Sequence, residues 1–356
     1  MNKLRGALSQ IQGRFETAAR SPFDDGWAEE EHHEGNFQTT VTEERARSII
    51  ARNDSPDIPF EQSINPYRGC EHGCIYCYAR PSHAYLELSP GLDFETRLFA
   101  KTNAVELLKE ELARRGYRAK PMAFGTNTDC YQPIERRYRL MRGLLEVLAA
   151  CEHPLTIVTK SALIERDLDL LAPMAKKNLV KAFLSITTLE HRLARTLEPR
   201  AASSQRRLDA IRALAAAGIP TGVMVAPLIP ALTDNSLEAV LEKAAQNGAT
   251  MAGWILLRLP NEVRPLFKEW LAEHQPQRAE HVMSIVRQSR GGRENDPNFG
   301  SRMTGSGNFV ALIDKRFDLA CRKFGLNSED NHMASRDGLD CSRFRPPSPA
   351  GQLRLF

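Results

Sequence analysis

Short β-rich apolar runs alternate with amphipathic helical stretches along most of the chain, starting near residue 61. This alternation restricts the fold to an α/β class, because strand–helix–strand units produce parallel strands joined by right-handed crossovers. Six such units fit either an open doubly wound sheet or a partial barrel. In both folds the functional residues lie at the carboxyl ends of the strands. The predicted strands span residues 62–67, 122–125, 155–159, 180–186, 221–226 and 253–257, and the predicted helices span residues 104–115, 138–150, 163–175, 205–217 and 237–246.

One main domain with extensions is the simplest organisation for 356 residues with 42% hydrophobic content. Polar and charged residues without periodicity predict an irregular N-terminal extension. Two further helical stretches are expected near residues 265–289 and 308–324. The predicted divisions are an extension over 1–60, a core over 61–265, a helical segment over 266–326 and a flexible tail over 327–356.

Composition excludes several classes of protein. No apolar run reaches the roughly 18 residues of a membrane span, and residues 1–20 lack the apolar stretch of a secretory signal. The expectation is therefore a cytoplasmic protein without a membrane partner. The net charge of +4 and the pI of about 8.7 permit a nucleic-acid partner without requiring one.

The cysteines form the strongest motif in the sequence. Three of the seven lie within one short segment, Cys70-Glu-His-Gly-Cys74-Ile-Tyr-Cys77, just after the first predicted strand. An odd number of crowded cysteines favours a metal site over a disulfide framework. Structural zinc would need a fourth ligand nearby, and His72 lies too close to Cys70 for the usual paired spacing. Thiolates suit iron–sulfur clusters, and three cysteines on a 4Fe–4S cube leave one iron open to a small molecule.

This segment resembles the CxxxCxxC signature of radical S-adenosylmethionine (SAM) enzymes. The resemblance implies that SAM chelates the open iron and that an external donor, such as flavodoxin or ferredoxin, reduces the cluster. SAM cleavage then yields a 5′-deoxyadenosyl radical, and the cofactors supply this chemistry. Tyr76 matches the family's aromatic position beside the adenine; the alternative is a tyrosine that only packs the loop.

Within that superfamily the chain resembles the spore photoproduct lyase branch, often labelled DNA repair photolyases. The likeness runs from about residue 64 to residue 307, and it implies a partial (β/α)6 TIM-type barrel. It rests on an ordered set of short matches, each weak alone: Cys77-Tyr78, Thr128-Asp129, Val158-Thr159-Lys160, Ser185-Ile186, Leu197-Glu198-Pro199, Arg207-Leu208, Val225-Ala226-Pro227, Arg302 and Gly305-Ser-Gly307.

The SAM roles implied by the resemblance agree with the chemistry of the residues. A desolvated ammonium, carboxylate and ribose each need a polar partner. Lys160 is predicted to pair with the SAM carboxylate, and Asp129 and Thr128 with its amino end. Ser185 and Thr187 share a strand face and are predicted to meet the ribose or the carboxylate. The alternatives are a helix cap for Asp129 and a solvated strand end for Lys160.

One position departs from the lyase pattern. The lyases return hydrogen from a cysteine three residues before the aspartate, and this chain has Thr126 there. A hydroxyl is a poor hydrogen-atom donor, so the lyase mechanism does not transfer unchanged. Cys130 and Tyr78 are the candidate catalytic replacements, although a buried free cysteine is commonly a packing residue.

The tail and an arginine-rich segment suggest a nucleic-acid context. Gln352, Leu353, Leu355 and Phe356 resemble the short motif that docks repair proteins on the β sliding clamp; the alternative is a tail tucked against its own domain. Arginines 287, 290, 293 and 302 would contact phosphates or form a solvated or ion-paired face. The first hypothesis is a lesion or modified base in DNA or RNA as substrate. The alternatives are a small-molecule or protein substrate and a non-catalytic iron–sulfur redox sensor.

Overall fold

The computed structural model describes residues 5–16, 38–328 and 338–347. Ten strands are present in these residues: β1 Thr40–Glu44, β2 Ile50–Arg52, β3 Gln62–Ile64, β4 Tyr67–Arg68, β5 Arg97–Lys101, β6 Met122–Phe124, β7 Leu155–Thr159, β8 Val180–Ser185, β9 Thr221–Leu228 and β10 Met251–Leu256. The helices are α1 Asp93–Thr96, α2 Ala104–Leu112, α3 Glu135–Tyr138, α4 Leu140–Ala150, α5 Leu168–Lys176, α6 His191–Leu197, α7 Ser204–Ala216, α8 Leu237–Gln246, α9 Val263–His274, α10 Ala279–Gln288 and α11 Asn308–Phe324. Short 3₁₀ turns lie at Arg80–Leu86, Ala162–Asp167, Asp234–Ser236 and Cys341–Arg343.

The main sheet confirms the predicted parallel architecture. Its strand order is β10-β9-β8-β7-β6-β3-β2. Six of these strands pair in parallel and in chain order: β3, β6, β7, β8, β9 and β10. The edge strand β2 runs antiparallel to β3. Sequential order of six parallel strands is the topology of a partial (β/α)6 barrel, so the structure selects the barrel over the doubly wound sheet.

The two edges of this sheet are bridged by a contact between Asp57 and Arg302. Asp57 follows edge strand β2, and Arg302 immediately precedes Met303, whose carbonyl accepts a hydrogen bond of 2.9 Å from Leu256 in edge strand β10. Arg302 donates from Nε and Nη2 to the Asp57 carboxylate at 2.7 and 2.6 Å. This bidentate ion pair therefore joins the loops beside the open side of the barrel.

The core lies between the strands and the surrounding helices. Strand β7 alternates buried and half-buried residues, as expected for a strand with one face on the core. Phe124, Ile157, Leu184 and Val223 come from four neighbouring strands and are all fully buried. Each such side chain contributes about 1.5–3 kcal/mol through burial, which fixes the strand ends that carry the polar site residues.

Several element boundaries differ from the predictions. The first predicted strand is two strands, β3 and β4, and the helix predicted over 163–175 begins as a 3₁₀ turn before α5. The helical stretch near 265–289 is interrupted around Pro276, which separates α9 from α10. The N-terminal extension expected to be irregular contains β1 and β2, because the Thr-Val-Thr pattern of β1 pairs in parallel with β5.

Part of the predicted flexible tail is docked on the barrel. The Phe344 ring lies 5.4 Å from Tyr117 and 5.2 Å from His153, between ring centroids. Residues 338–347 are therefore fixed against the core, whereas the clamp-like motif at residues 352–356 lies outside the described residues. In the parts of the chain that the structure describes, every helix is too short or too polar to cross a bilayer.

Candidate active site

The cysteine loop follows β4 near the carboxyl end of β3. The amide of Cys70 donates to Phe94 at 2.9 Å, and that of Cys77 donates to Cys74 at 3.2 Å. Gly73 adopts a φ of 67° between the first two cysteines, a left-handed conformation that favours glycine. Cys70 and Cys74 are buried and Cys77 is half-buried. Burial raises the pKa of the Cys74 thiol to about 12 and that of Cys70 well above its ordinary value.

A buried ion pair holds the backbone of this loop. Arg80 donates from Nε to the carbonyl of Cys74 at 2.9 Å and from Nη2 to that of Gly73 at 3.2 Å. The same guanidinium pairs with Glu95, and both side chains are fully buried. The carbonyl groups of the loop are thus fixed by a charged group with its own counter-ion.

The N-terminal segment closes over the other side of Glu95. The amides of Gly6 and Ala7 donate to the Glu95 carboxylate at 2.9 and 2.8 Å. A Cβ on Gly6 would lie 1.7 Å from the carbonyl oxygen of Gly73, so the two backbones touch at a place where only glycine fits. Residues 5–16 are therefore part of the wall around the cysteine loop.

Asp129 connects the cysteine loop to the end of β7. Its carboxylate accepts from the Thr159 hydroxyl at 2.7 Å and from the Lys160 amide at 2.8 Å, and it lies 3.4 Å from Nδ1 of His72. Burial alone would raise the pKa of Asp129, but His72 and the hydrogen bonds from Lys160 and Thr159 bring it well below its ordinary value. The carboxylate is ionised and its acceptor sites are filled by protein donors.

A second buried network forms where Tyr76 meets the end of β8. The Tyr76 hydroxyl lies 3.2 Å from the Thr187 hydroxyl and also donates to Glu198, and Thr187 donates to Glu198 at 2.7 Å. Arg207 neutralises Glu198 and donates to the Ser185 carbonyl at 2.8 Å. Burial opposes ionisation of Glu198, yet Arg207 and Lys160 lower its pKa to about 2.

Lys160 lies between these two networks. Its Nζ is 5.8 Å from the centroid of the Tyr76 ring, and it forms no hydrogen bond with any described residue. Burial would lower the pKa of Lys160, but Cys74 and Glu198 raise it above its ordinary value. Ser185 is buried nearby on β8, and its hydroxyl likewise has no partner among the described residues. A cation and a hydroxyl therefore remain available at the ends of adjacent strands.

Tyr78 directly follows the last cysteine of the motif. Its side chain is 48% exposed, and its hydroxyl donates to the carbonyl of Thr126. Burial of the hydroxyl raises the pKa of Tyr78 to about 12. The Arg258 guanidinium stacks 5.6 Å from the Tyr78 ring, and Nε of Arg258 is buried without a partner. Tyr78 is thus in contact with both the cysteine loop and the strand end that carries Thr126.

Cys130 and Thr128 are placed differently from the cofactor-facing groups. Cys130 is fully buried within the main apolar core, beside Tyr131 and Leu144. Burial raises the pKa of this thiol well above its ordinary value. Thr128 donates its hydroxyl to the carbonyl of Tyr67 at 3.0 Å. These positions are typical of packing and loop support.

Three of the four arginines expected near phosphates make internal contacts. Arg302 pairs with Asp57 and Arg287 with Glu280. Arg290 donates to four carbonyl groups of the chain, including that of Leu257 at 2.9 Å. The ion-paired alternative therefore describes Arg287 and Arg302, whereas Arg290 is bound to backbone carbonyl groups and Arg293 is exposed.

Two buried ion pairs were not predicted as parts of the site. Glu198 and Arg207 were named only within short matches to the lyase branch. Nothing in the sequence indicated that Arg80 and Glu95 would form a buried ion pair. Buried charges come from distant positions, so spacing along the chain does not reveal them.

The donors present suit an iron–sulfur cluster. Three thiols of one loop lie beside a free ammonium, and backbone carbonyls of the loop are held by Arg80. Across the described parts of the chain, no three His, Cys, Asp or Glu side chains already stand together as a ready-made metal site. Assignment of the thiols to a cluster therefore rests on their spacing, their chemistry and the family.

Comparisons with known proteins identify the family. A family model for the radical SAM superfamily matches residues 64–244, which is more than half of the chain. The uncharacterized protein Rv2578c of Mycobacterium tuberculosis is 41% identical over 232 residues, covering 65% of this chain and 68% of that protein. The uncharacterized protein MJ0683 of Methanocaldococcus jannaschii is 30% identical over 171 residues, covering 48% of this chain and 61% of that protein.

Solved structures of spore photoproduct lyase share the fold. One of them, complexed with dinucleoside spore photoproduct, has a TM-score of 0.57 and 18% identity and covers 82% of each chain. Another has a TM-score of 0.59 at 17% identity with the same coverage. The superfamily implies SAM and an iron–sulfur cluster as cofactors. The chain belongs to the radical SAM superfamily and is a radical SAM enzyme with the fold of spore photoproduct lyase.

Proposed function

We propose that this enzyme binds a 4Fe–4S cluster through Cys70, Cys74 and Cys77 and acts on a lesion or modified base in nucleic acid. When bound, the cluster supplies the single electron that cleaves SAM to a 5′-deoxyadenosyl radical. The observation that supports this most directly is the position of Lys160 over the Tyr76 ring. A desolvated cation beside the cysteine loop matches the carboxylate that SAM brings to such a site.

Lys160 and Ser185 are the residues proposed to contact SAM directly. Neither side chain forms a hydrogen bond or ion pair with another described residue, so neither must break one on binding, although the Lys160 ammonium does lie over the Tyr76 ring. Lys160 would neutralise the carboxylate, and the Ser185 hydroxyl would hydrogen-bond the carboxylate or the ribose. Tyr76 is proposed to face the adenine with its ring, because its hydroxyl is held by Thr187 and Glu198.

Three further residues are proposed to support SAM binding mainly by holding other groups of the site in place: Asp129, Thr128 and Thr187. Asp129 fixes both His72 in the cysteine loop and the backbone of Lys160. Thr187 fixes Tyr76, and Thr128 holds the loop after β6 against Tyr67. Direct contact of these groups with the amino end or the ribose would require an exchange of existing hydrogen bonds.

Tyr78 is the stronger candidate for hydrogen return. It is exposed beside the last cysteine and touches Thr126, the position at which the lyases carry their hydrogen donor. Cys130 remains the alternative donor, but its thiol lies in the apolar core. An exposed phenol at the mouth is better placed than a buried thiol to meet a substrate radical.

The nucleic-acid substrate is supported by the likeness to a lyase solved with a dinucleoside photoproduct. The chain would receive its electron from a flavodoxin or ferredoxin. The test is anaerobic reconstitution with dithionite and SAM, with and without ultraviolet-irradiated DNA, followed by quantification of 5′-deoxyadenosine. Deuterium transfer from labelled DNA into that product supports the proposal, and an unchanged yield with every nucleic acid contradicts it.

A small-molecule or protein substrate is the second candidate. The observation that favours it is the internal use of Arg302, Arg287 and Arg290, which leaves fewer cations at this side of the barrel for phosphate contacts. SAM cleavage that proceeds slowly and ignores nucleic acid would select this candidate. A chain that neither binds nor cleaves SAM would behave as the redox sensor instead.

A further inference from the structure

A basic cleft lies at the face of the barrel opposite the candidate active site. Its cavity measures about 320 Å³ and is lined by Arg52, Arg114, Arg115 and Tyr117. In the pairing of β2 with β3, Arg52 lies opposite Gln62, which is the first residue of β3. Residues 114–117 precede β6. The cleft is therefore at the amino ends of the strands, whereas the cysteine loop follows their carboxyl ends.

The charges in this cleft are not neutralised by the protein. Within the residues that the structure describes, the guanidinium groups of Arg52, Arg114 and Arg115 have no carboxylate partner and no hydrogen-bond acceptor. The acidic lining residue is Glu111, whose buried carboxylate accepts from the amides of Ile49 and Ile50 at 2.7 and 3.3 Å. Its acceptors are thus engaged, and the cleft presents a net positive surface.

These cations come from two separate elements. Arg114 and Arg115 follow helix α2, and the helix dipole stabilises positive charges at this carboxyl end. Arg52 is contributed by the edge strand β2, so the helix end does not explain its position. Three guanidinium groups around one cavity match the oxygen atoms of a phosphate ester, which arginine binds in a bidentate manner.

The walls of the cleft are both rigid and approachable. The Tyr117 hydroxyl lies 2.7 Å from Oε1 of Gln62 and 2.8 Å from Nε2 of His153, and Phe344 packs against its ring. Gly116 has a φ of 84°, and no atom lies within 4 Å of the place its Cβ would occupy. A ligand chain can therefore reach the backbone at Gly116 without displacing a side chain.

The basic surface extends beyond the cavity. Arg118 follows Tyr117, is exposed, and has no ion-pair partner among the described residues. A volume near 320 Å³ accommodates about one nucleotide, and the additional cation gives a path for a neighbouring phosphate. This extension favours a polymer of phosphate esters over a single phosphate.

We infer that this cleft binds the phosphodiester backbone of a nucleic-acid chain, remote from the base that enters the active site. The inference rests on the proposed function for the identity of the polymer. It assigns Arg52, Arg114 and Arg115 to substrate binding through charge, with no part in the radical chemistry.

The test compares two charge reversals in the full-length protein, prepared anaerobically. R114E/R115E changes the cleft, and R322E/K323E makes the same change in net charge just before the end of helix α11. Binding is measured by fluorescence anisotropy with single-stranded DNA and RNA of about 20 nucleotides. We expect the Kd to rise roughly tenfold or more for R114E/R115E and less than about twofold for the control. The salt dependence of binding by R114E/R115E should fall by the equivalent of about two phosphate contacts.

Equal weakening by both double variants, or none by R114E/R115E, overturns the inference. Competition with AMP and inorganic phosphate separates the sources of the phosphate group: an oligonucleotide that binds no tighter than AMP also overturns it. R52Q provides a milder second variant, expected to weaken binding about threefold to tenfold, and circular dichroism melting confirms that each variant folds. Failure of the proposed function is distinct, because it appears in the wild type as a 5′-deoxyadenosine yield that no nucleic acid alters.

Discussion

The guanidinium of Arg80 and the carboxylate of Glu95 form a wholly buried ion pair, with 2.5 Å between Nη2 and Oε1. Arg80 also donates to the carbonyl groups of Gly73 and Cys74 in the cysteine loop and to those of Pro90 and Gly91. Glu95 accepts from the amides of Gly6 and Ala7. One ion pair thus joins the proposed cluster loop to a segment about seventy residues away in the chain.

Removal of one member of this pair should destabilise the protein strongly. Glu95→Gln leaves the Arg80 charge buried and is expected to cost about 3–5 kcal/mol of unfolding free energy and to reduce iron bound after reconstitution. Denaturant unfolding and iron analysis measure both effects. Arg206→Gln, which breaks an exposed pair with Glu165, serves as the control and should cost less than about 1 kcal/mol. Wild-type stability of Glu95→Gln would contradict the role assigned to the pair.

A methyl group on Gly6 should separate the N-terminal segment from the cysteine loop. Because the new Cβ would lie 1.7 Å from the Gly73 carbonyl oxygen, Gly6→Ala forces the two backbones apart. We expect a loss of about 1–3 kcal/mol and faster loss of the reconstituted cluster in air. Thermal melting and the decay of visible absorbance are the measurements. Leu8→Ala, at an exposed position of the same segment, should behave as wild type in both.

Lys160→Met should impair SAM binding while the protein keeps its iron. The substitution retains the length of the side chain but removes the ammonium that we assign to the SAM carboxylate. A loss of a charge-assisted contact predicts an increase of about tenfold or more in the KM for SAM. Steady-state formation of 5′-deoxyadenosine tests this. Lys177→Met, on the exposed surface beside Glu152, is the matched control; an unchanged KM in Lys160→Met would remove Lys160 from the SAM site.

Cys130→Ala should lower stability without affecting hydrogen return, whereas Tyr78→Phe should affect hydrogen return with little change in stability. Cys130 fills the core, so its truncation is expected to cost about 1–2 kcal/mol without altering the products. Tyr78→Phe removes the exposed phenol at the mouth and should change the ratio of product to 5′-deoxyadenosine by about tenfold at little cost in stability. Mass spectrometry of products formed in deuterated buffer distinguishes them. A changed product ratio in Cys130→Ala would identify the buried thiol as the donor.

The protein should lose stability as the pH falls below neutrality because His153 is buried. Burial lowers the pKa of His153 from 6.5 to about 4, so the unfolded chain takes up a proton that the folded chain refuses. Stability is therefore full above pH 6.5 and declines towards pH 4, by up to about 3 kcal/mol from this group. His153→Gln should flatten this part of the pH profile of unfolding, whereas His191→Gln at the surface should not. A profile unchanged by His153→Gln would contradict the assignment.

The sequence was sufficient for the strands and helices of the barrel because these elements follow local patterns, whereas the choice of a barrel over a doubly wound sheet came from the family resemblance and the observed strand order. Strand β7 and helix α8 occupy the predicted residues, since alternation and helical periodicity record which face meets the core. The interruption between α9 and α10 had a visible signal in Pro276. In contrast, β1 is largely exposed and carries little apolar alternation, so its pairing with β5 is a tertiary effect.

The candidate site was predictable only in part. The loop that carries the cysteine motif was placed correctly because it directly follows the first predicted strand. The engagement of Asp129 by Thr159 and His72, and of Thr187 by Glu198, depends on side-chain directions that a strand pattern does not encode. Lys160 stood out by residue type, but its lack of a protein partner becomes visible only when the neighbours are in place.

The strand order has a consequence for how the chain is made. Because β3, β6, β7, β8, β9 and β10 pair in the order of synthesis, each strand leaving the ribosome finds its partner already assembled. The contact between Asp57 and Arg302 must wait until 245 further residues have been added, so it joins the two ends of the wall last. An incomplete nascent chain would therefore hold its cysteine loop in a barrel whose two edges are not yet joined by this ion pair.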